Sequence, residues 1–421
     1  MQSESTQDAV LRTAMHNYEA TAERLGLPDA IARRLAHPKE MITLQLHPAM
    51  PDGRLLDVQA HVVRHCDALG PAKGGIRMDA AVTRDMVTGL SMEMTWKTAL
   101  IGVPFGGGKT GIVCNPGELP PDGKEILIRS FVRAARRHIG PEIYVPAPDM
   151  GTGQKEMGFI RDCISYSDGI AIPRGCFVTG KPVILGGIRG RREATGRGVV
   201  AALECACRHL GRDLSRLTVA VQGFGNVGAV AARELQQRGA KVVAVADLTG
   251  GTHKASGLDI AALERHVAQT GKLANFAGGD EIDPARLHET ECDILLPAAA
   301  GSTIHAGNAA GIKARIIAEG ANAPVTPEAD KILSEAGVFF IPDILCNAGG
   351  VFVSYLEYTQ ETQREQMEKA EVEARLHERM ETAFQEVLTY SLEKNMPMRA
   401  AAMDIAVRRV AEAITARGIH P

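Results

Sequence analysis

Long apolar runs are missing from this chain: none approaches the roughly 18 residues of a bilayer-crossing helix, so no membrane span is expected. An excess of one charge is missing as well. The 47 basic and 50 acidic residues leave a formal charge of −3, which offers no general attraction to nucleic acid or to an anionic membrane. The eight cysteines include no Cys-x-x-Cys pair. They point to neither a zinc site nor a disulfide framework, and they read as reduced thiols serving as small apolar residues, with no metal expected. The start, Met1 to Asp8, lacks the basic and apolar segments of a secretory signal, so a cytoplasmic protein is expected. No repeat at a solenoid period and no low-complexity tract is present.

What is there is the composition of an ordinary globular protein, 45% hydrophobic and 23% charged over 421 residues, enough for two or three domains. From Thr179 to Gly198 the chain is rich in Gly and Arg and poor in periodic apolar residues, as an interdomain hinge reads. Beyond it, short apolar runs alternate with helix-length segments: Leu217 to Gln222, Lys241 to Ala246, Asp293 to Leu296, Arg315 to Ala318 and Val338 to Ile341. That alternation predicts a parallel sheet of βαβ units. Before the hinge, helices are expected at Thr6 to Leu25 and from Val82 onward, with a strand at Leu55 to Arg64. A helix is predicted over Glu361 to Lys394, where Val372, Leu376, Met380, Phe384 and Leu388 form a stripe read as core or subunit contact.

Two chemical signals stand out. Gly223-Phe-Gly225-Asn226-Val227-Gly228 follows a predicted strand, opens a predicted helix from Asn226 to Arg238, and precedes Asp247 by about the separation expected of a ribose-binding acid. Gly223 suits the tight turn, Gly225 a close approach to a pyrophosphate, and Gly228 helix–strand packing, with the phosphates on the helix N-terminus. A nicotinamide dinucleotide is the expected cofactor.

The second signal is a set of lysines among residues too small or apolar for a solvated loop: Lys73 in Gly70-Pro-Ala-Lys73-Gly-Gly-Ile-Arg77, Lys97 in Met94-Thr-Trp-Lys97, and Lys109 in Gly106-Gly-Gly-Lys109-Thr110. Asp149 sits between Pro148 and Met150-Gly151. Gly106 to Thr110 is not a Walker A loop, because position 103, where that motif needs glycine, is valine. A small dicarboxylic acid would need cations at both ends. A third lysine, deprotonated by burial and neighbouring charge, could act as a general base, with Asp149 exchanging protons with an amine or imine.

These segments, with the ordered motifs EATGRG, AEGAN and IPDILCNAGGVFVSYLE, resemble the glutamate/leucine/phenylalanine/valine dehydrogenase family from about residue 40 to the C-terminus. The resemblance implies Lys109 as the catalytic lysine that activates water and Asp149 as the proton shuttle. It implies Lys97 as ligand of the substrate α-carboxylate and Lys73 with Ser354 as ligands of a γ-carboxylate; Met94 and Pro148 also belong to the substrate site. Thr195, Gly223, Gly225, Asn226, Val227, Gly228, Asp247, Asn322 and Asn347 are implied as cofactor-binding. Met78-Asp79 departs from the aromatic-His pair that follows GGIR in the glutamate enzymes.

The resemblance further implies L-glutamate, 2-oxoglutarate and ammonia as substrates, NAD or NADP as cofactor, and a homohexamer. Asp247 favours NAD, since a carboxylate repels a 2′-phosphate, although His253 and Lys254 follow closely. A relative acting on an apolar amino acid, and a non-catalytic subunit of a mixed oligomer, are the alternatives. Lys73 and Ser354 speak against the first, and the presence of Lys109 and Asp149 against the second. The expected fold is two-domain α/β. An N-terminal α/β substrate domain (1–187) precedes a Rossmann-like, doubly wound parallel sheet (188–365), and C-terminal helices (366–421) pack back across the junction.

Overall fold

A run of glycines becomes a central strand in this protein, although glycine weakens strands by its backbone entropy. At Gly106, Gly107 and Gly108 of the strand Gly106–Ile112 there is no room for a side chain. A Cβ on Gly107 would fall 2.0 Å from Thr95 Oγ1 and 2.4 Å from the Ser91 carbonyl oxygen. The strand therefore lies directly on the helix Arg84–Ile101, which is buried along nearly its whole length. That helix begins where the Thr83 hydroxyl accepts a hydrogen bond from Met86 N, and ends at Gly102 in the left-handed conformation.

The computed structural model describes residues 3–169 and 175–418. They form two units. The first comprises Met1–Arg191, Val351–Val372 and Met403–Pro421, the second Arg192–Gly350 and Glu373–Ala402. No helix among the described residues is long and apolar enough to cross a membrane.

The first unit holds strands β1 (Glu40–Leu46), β2 (Val58–Cys66), β3 (Ala72–Met78), β4 (Gly106–Ile112) and β5 (Tyr144–Pro148), in the order β1-β2-β4-β3-β5. β2 runs antiparallel to both β1 and β4, whereas β3 is parallel to both β4 and β5. The predicted strand and helices appear as β2, as Ser3–Leu25 and as Arg84–Ile101. One face of the sheet buries Val58, Ala60, Val62, Ile76 and Ile112 with Leu127, Phe131, Ile160 and Ile164 from two helices.

The second unit holds β6 (Thr218–Gln222), β7 (Lys241–Asp247), β8 (Gly250–His253), β9 (Asp280–Ile282), β10 (Ile294–Pro297), β11 (Ile316–Ala318) and β12 (Phe339–Ile341). Their order is β12-β11-β10-β6-β7-β8-β9. The five predicted apolar runs are the five parallel strands. β6 sits between β10 and β7, so the crevice beyond its carboxyl end is the switch point at which doubly wound sheets bind ligands. The antiparallel strands β8 and β9 were not expected, because Gly-Gly-Thr-His and Asp-Glu-Ile carry no apolar run.

The tail departs from one continuous helix. Gly349–Gln363 ends before Arg364, whose φ of 58° no helix accommodates, and Lys369–Lys394 begins anew. The stripe Val372, Leu376, Met380, Phe384 and Leu388 is buried core.

Candidate active site

Side chains alternate between the two faces of a strand, so Lys73, Gly75 and Arg77 share one face of β3. The parallel register with β4 pairs Lys73 with Gly107 and Ile76 with Thr110, which brings Lys109 level with Gly75. On the other side Ile76 pairs with Pro148 of β5, and one step further Asp149 comes level with Arg77. Because residue 75 has no side chain, the Asp149 carboxylate occupies that space and meets both neighbours. Lys109 Nζ donates to its Oδ2, and Arg77 Nε donates to its Oδ1 at 3.0 Å, an oxygen that also accepts from Met150 N at 2.7 Å.

Burial alone would disfavour the charged form of Asp149. Lys109 and Arg77 outweigh it and hold the carboxyl well below the usual carboxylate range. Lys109, itself buried, is pushed down first by desolvation. Asp149 opposes that shift, while Arg77 and Lys97 add to it. Lys97, buried on the helix Arg84–Ile101, thus lies within electrostatic reach of Lys109. Met94 and Pro148 are both partly buried nearby in sequence.

A second cluster in the same unit contains Lys73 and Ser354, with relative exposures of 1% and 0%. Among the described residues Lys73 Nζ donates to the carbonyls of Val145 and Pro146, at 3.1 and 3.4 Å. Ser354 Oγ accepts from Arg191 Nε at 2.8 Å. Desolvation, with the repulsion of Arg191 and Lys181, pushes the Lys73 ammonium down to about 7. Glu357, the carboxylate that acts on both Lys73 and Arg191, is already committed. Its Oε1 accepts from Lys181 Nζ at 2.8 Å and its Oε2 from Gly180 N at 2.9 Å. Among the described residues, then, neither Lys73 nor Arg191 meets a carboxylate within hydrogen-bond distance.

Arg77 and Arg191 were not among the residues picked out from the sequence. Arg77 closes a motif in which only the lysine drew attention. Arg191 lies in the Gly/Arg-rich stretch read as a hinge.

In the second unit the glycine motif turns as its chemistry requires. Gly223 follows β6 with φ of 94°, and a Cβ on Gly228 would fall 1.8 Å from the Gly223 carbonyl oxygen, whereas one on Gly225 would meet nothing within 4 Å. Asn226 and Val227 form the turn, so the helix starts at Gly228, two residues later than predicted, with no side-chain cap among the described residues. Its first N–H groups suit a pyrophosphate.

Asp247 ends β7, and its Oδ1 accepts from Thr249 N at 2.7 Å and Thr249 Oγ1 at 2.6 Å. Thr195 lies in the first turn of the helix Ala194–His209. Asn347 donates from Nδ2 to Asn322 Oδ1 at 3.2 Å and to the carbonyls of Gly320 and Ala321. Its own Oδ1 is buried without a partner among the described residues. An orphaned acceptor of this kind calls for a ligand's N–H, and the carboxamide of a nicotinamide fits. The donor set and the open Gly225 backbone suit a dinucleotide.

The glutamate/leucine/phenylalanine/valine dehydrogenase model matches residues 186–418, and the dimerisation-domain model of the same family matches residues 38–166. A glutamate dehydrogenase of Thermotoga maritima is 43% identical over 97% of this chain and 98% of its own. Glutamate dehydrogenase A2 of Halobacterium salinarum is 41% identical over 99% of this chain and 100% of its own. Among solved structures, the hetero-hexameric glutamate dehydrogenase of Thermus thermophilus in a leucine-bound form superposes with a TM-score of 0.94 at 34% identity, covering 98% of each chain. The resemblance read from the motifs is borne out, and the chain belongs to the glutamate/leucine/phenylalanine/valine dehydrogenase family.

Proposed function

We propose that the protein catalyses the NAD-dependent oxidative deamination of L-glutamate to 2-oxoglutarate and ammonia, and the reverse reductive amination. The observation that carries this reading is the pair of basic side chains, Lys73 and Arg191, the latter on Ser354, which among the described residues meet no carboxylate within hydrogen-bond distance. A buried cation is costly unless paired, so an apolar amino acid would leave Arg191 unpaired and would favour the neutral form of Lys73. The γ-carboxylate of glutamate supplies the missing charge. The names of the relatives in Thermotoga and Halobacterium support the same substrate.

Lys97 binds the α-carboxylate, with Met94 and Pro148 lining the substrate. A dinucleotide held by Gly223, Gly225, Asn226, Val227, Gly228, Asp247, Thr195, Asn322 and Asn347 supplies the hydride acceptor that converts the amine to an imine. The proton steps belong to this chain's own residues. Neutral Lys109 takes a proton from the water that adds to the imine carbon, and Asp149, which takes up the proton released from the amine as the imine forms, returns it to the nitrogen so that ammonia leaves.

NAD is favoured over NADP on two grounds. Asp247 Oδ2 makes no hydrogen bond among the described residues and can accept from a ribose hydroxyl. The β7–β8 hairpin carries His253 back to pair with Ala244, three residues, or about 10 Å, from Asp247, away from where a 2′-phosphate would sit. A homohexamer is the proposed assembly; the hetero-hexameric relative of Thermus thermophilus supports the number of subunits.

Absorbance at 340 nm, followed with L-glutamate, leucine, valine and phenylalanine in turn, tests the proposal. Reduction of NAD with glutamate alone supports it. Equal or greater turnover with an apolar amino acid, or none with any, refutes it.

A further inference from the structure

We propose that Arg77 is a positioning residue for proton transfer: by occupying one oxygen of Asp149 it leaves Lys109 beside a carboxylate that is already neutralised, and so lets Lys109 give up its proton. The inference rests on the roles proposed above for Lys109 and Asp149.

The two carboxylate oxygens are divided between different partners. Oδ1 receives Arg77 Nε and Met150 N, and Oδ2 receives Lys109 Nζ. Arg77 is fixed from its other end as well, its Nη1 pointing at Met86 Sδ at 3.8 Å on the helix Arg84–Ile101. Its side chain is 19% exposed, that of Asp149 16% and that of Lys109 4%, so solvent screens the three charges weakly.

Charge counting then decides the matter. With Arg77 present, Lys109, Asp149 and Arg77 sum to +1, and loss of the Lys109 proton leaves a neutral Arg77–Asp149 pair. Without Arg77 the starting pair is neutral, and the same proton loss strands a buried carboxylate with no counter-charge, which is costly.

The other groups facing this cluster do not reverse the sign. Lys97, from the neighbouring helix, also disfavours the Lys109 cation. The Tyr144 hydroxyl of β5 is kept un-ionised by burial. Among the described residues Asp149 is the group that favours the charged lysine, and Arg77 is the residue that absorbs its charge.

The test is the pH dependence of kcat/KM for glutamate in the wild type, Arg77→Met, Arg77→Gln and Arg77→Lys, with Lys109→Ala alongside. In the proposed mechanism the rate rises with pH as Lys109 loses its proton. Removing a charge at this distance moves a pKa by about 1–3 units. Arg77→Met should therefore shift the ascending limb upward by at least about one unit, a loss of roughly tenfold or more on the acid side. Arg77→Gln keeps a donor for Oδ1 but no charge; it should shift the limb likewise, and it replaces the methionine variant should that one not fold. Arg77→Lys keeps the charge and should leave the limb in place. A loss equal at all pH values, with the limb unmoved in both neutral variants, would show that Arg77 only braces the strand and overturns the inference. A Lys109→Ala enzyme that still turned over would overturn instead the mechanism on which it rests.

Discussion

A Cβ placed on Gly75 would fall 2.6 Å from the Cβ of Asp149 and 2.8 Å from its Oδ2. The bare backbone at position 75 is thus the space in which the proposed proton shuttle lies. Gly75→Ala should push the carboxylate off its line with Lys109. A misplacement of about 1 Å costs on the order of 10²-fold in rate, so kcat should fall by that order while the dissociation constant for NAD stays near its wild-type value. Wild-type kcat in this variant would mean that Asp149 does not act from the position seen here.

Lys73 carries a prediction about protons. Burial and neighbouring cations hold its ammonium down to about 7, so at pH 8 the free protein has this lysine mostly neutral. A bound γ-carboxylate favours the charged form and raises the pKa. Glutamate or 2-oxoglutarate should therefore bind with uptake of close to one proton at pH 8 and almost none at pH 6, where the lysine is already charged. Calorimetric titration in two buffers of different ionisation enthalpy measures this directly. Uptake that is absent at both pH values would remove Lys73 from contact with the substrate.

Cofactor choice should respond to Asp247. A hydrogen bond to a charged group contributes about 1.5–3 kcal/mol, which at roughly 1.4 kcal/mol per tenfold is about 10- to 100-fold. Asp247→Ser should lower kcat/KM for NAD by that range and raise it for NADP, whose 2′-phosphate is no longer repelled. Steady-state kinetics with both cofactors checks this; a wild-type enzyme faster with NADP would contradict the preference.

Much of this architecture was legible because it rests on local pattern. The five apolar runs of the second unit can be buried on both faces only as parallel strands, and a glycine motif between strand and helix has few other uses. The antiparallel strands β8 and β9 escaped because backbone hydrogen bonds, not apolar side chains, hold β8 to β7 and β9 to β8. The break at Arg364 escaped because a periodic stripe shows which face is buried and says little about where the backbone turns. In the site, the lysines stood out by their small neighbours. Arg77 and Arg191 did not, since an arginine beside glycines reads equally well as a solvated loop. What distinguishes them is three-dimensional: one ends on Asp149, the other on Ser354.

The central claim is that Lys73, with Ser354, receives a γ-carboxylate, and the Lys73→Leu/Ser354→Val double variant tests it most directly through kcat/KM for glutamate and for leucine. Losing the partner of a buried charge costs about 3–5 kcal/mol, so kcat/KM for glutamate should fall by on the order of 10²- to 10³-fold or more. Activity on leucine should rise from near zero, because the apolar side chain no longer strands a buried ammonium. Equal losses on both substrates, with no gain on leucine, would show that Lys73 merely supports its glycine-rich strand and would contradict the account.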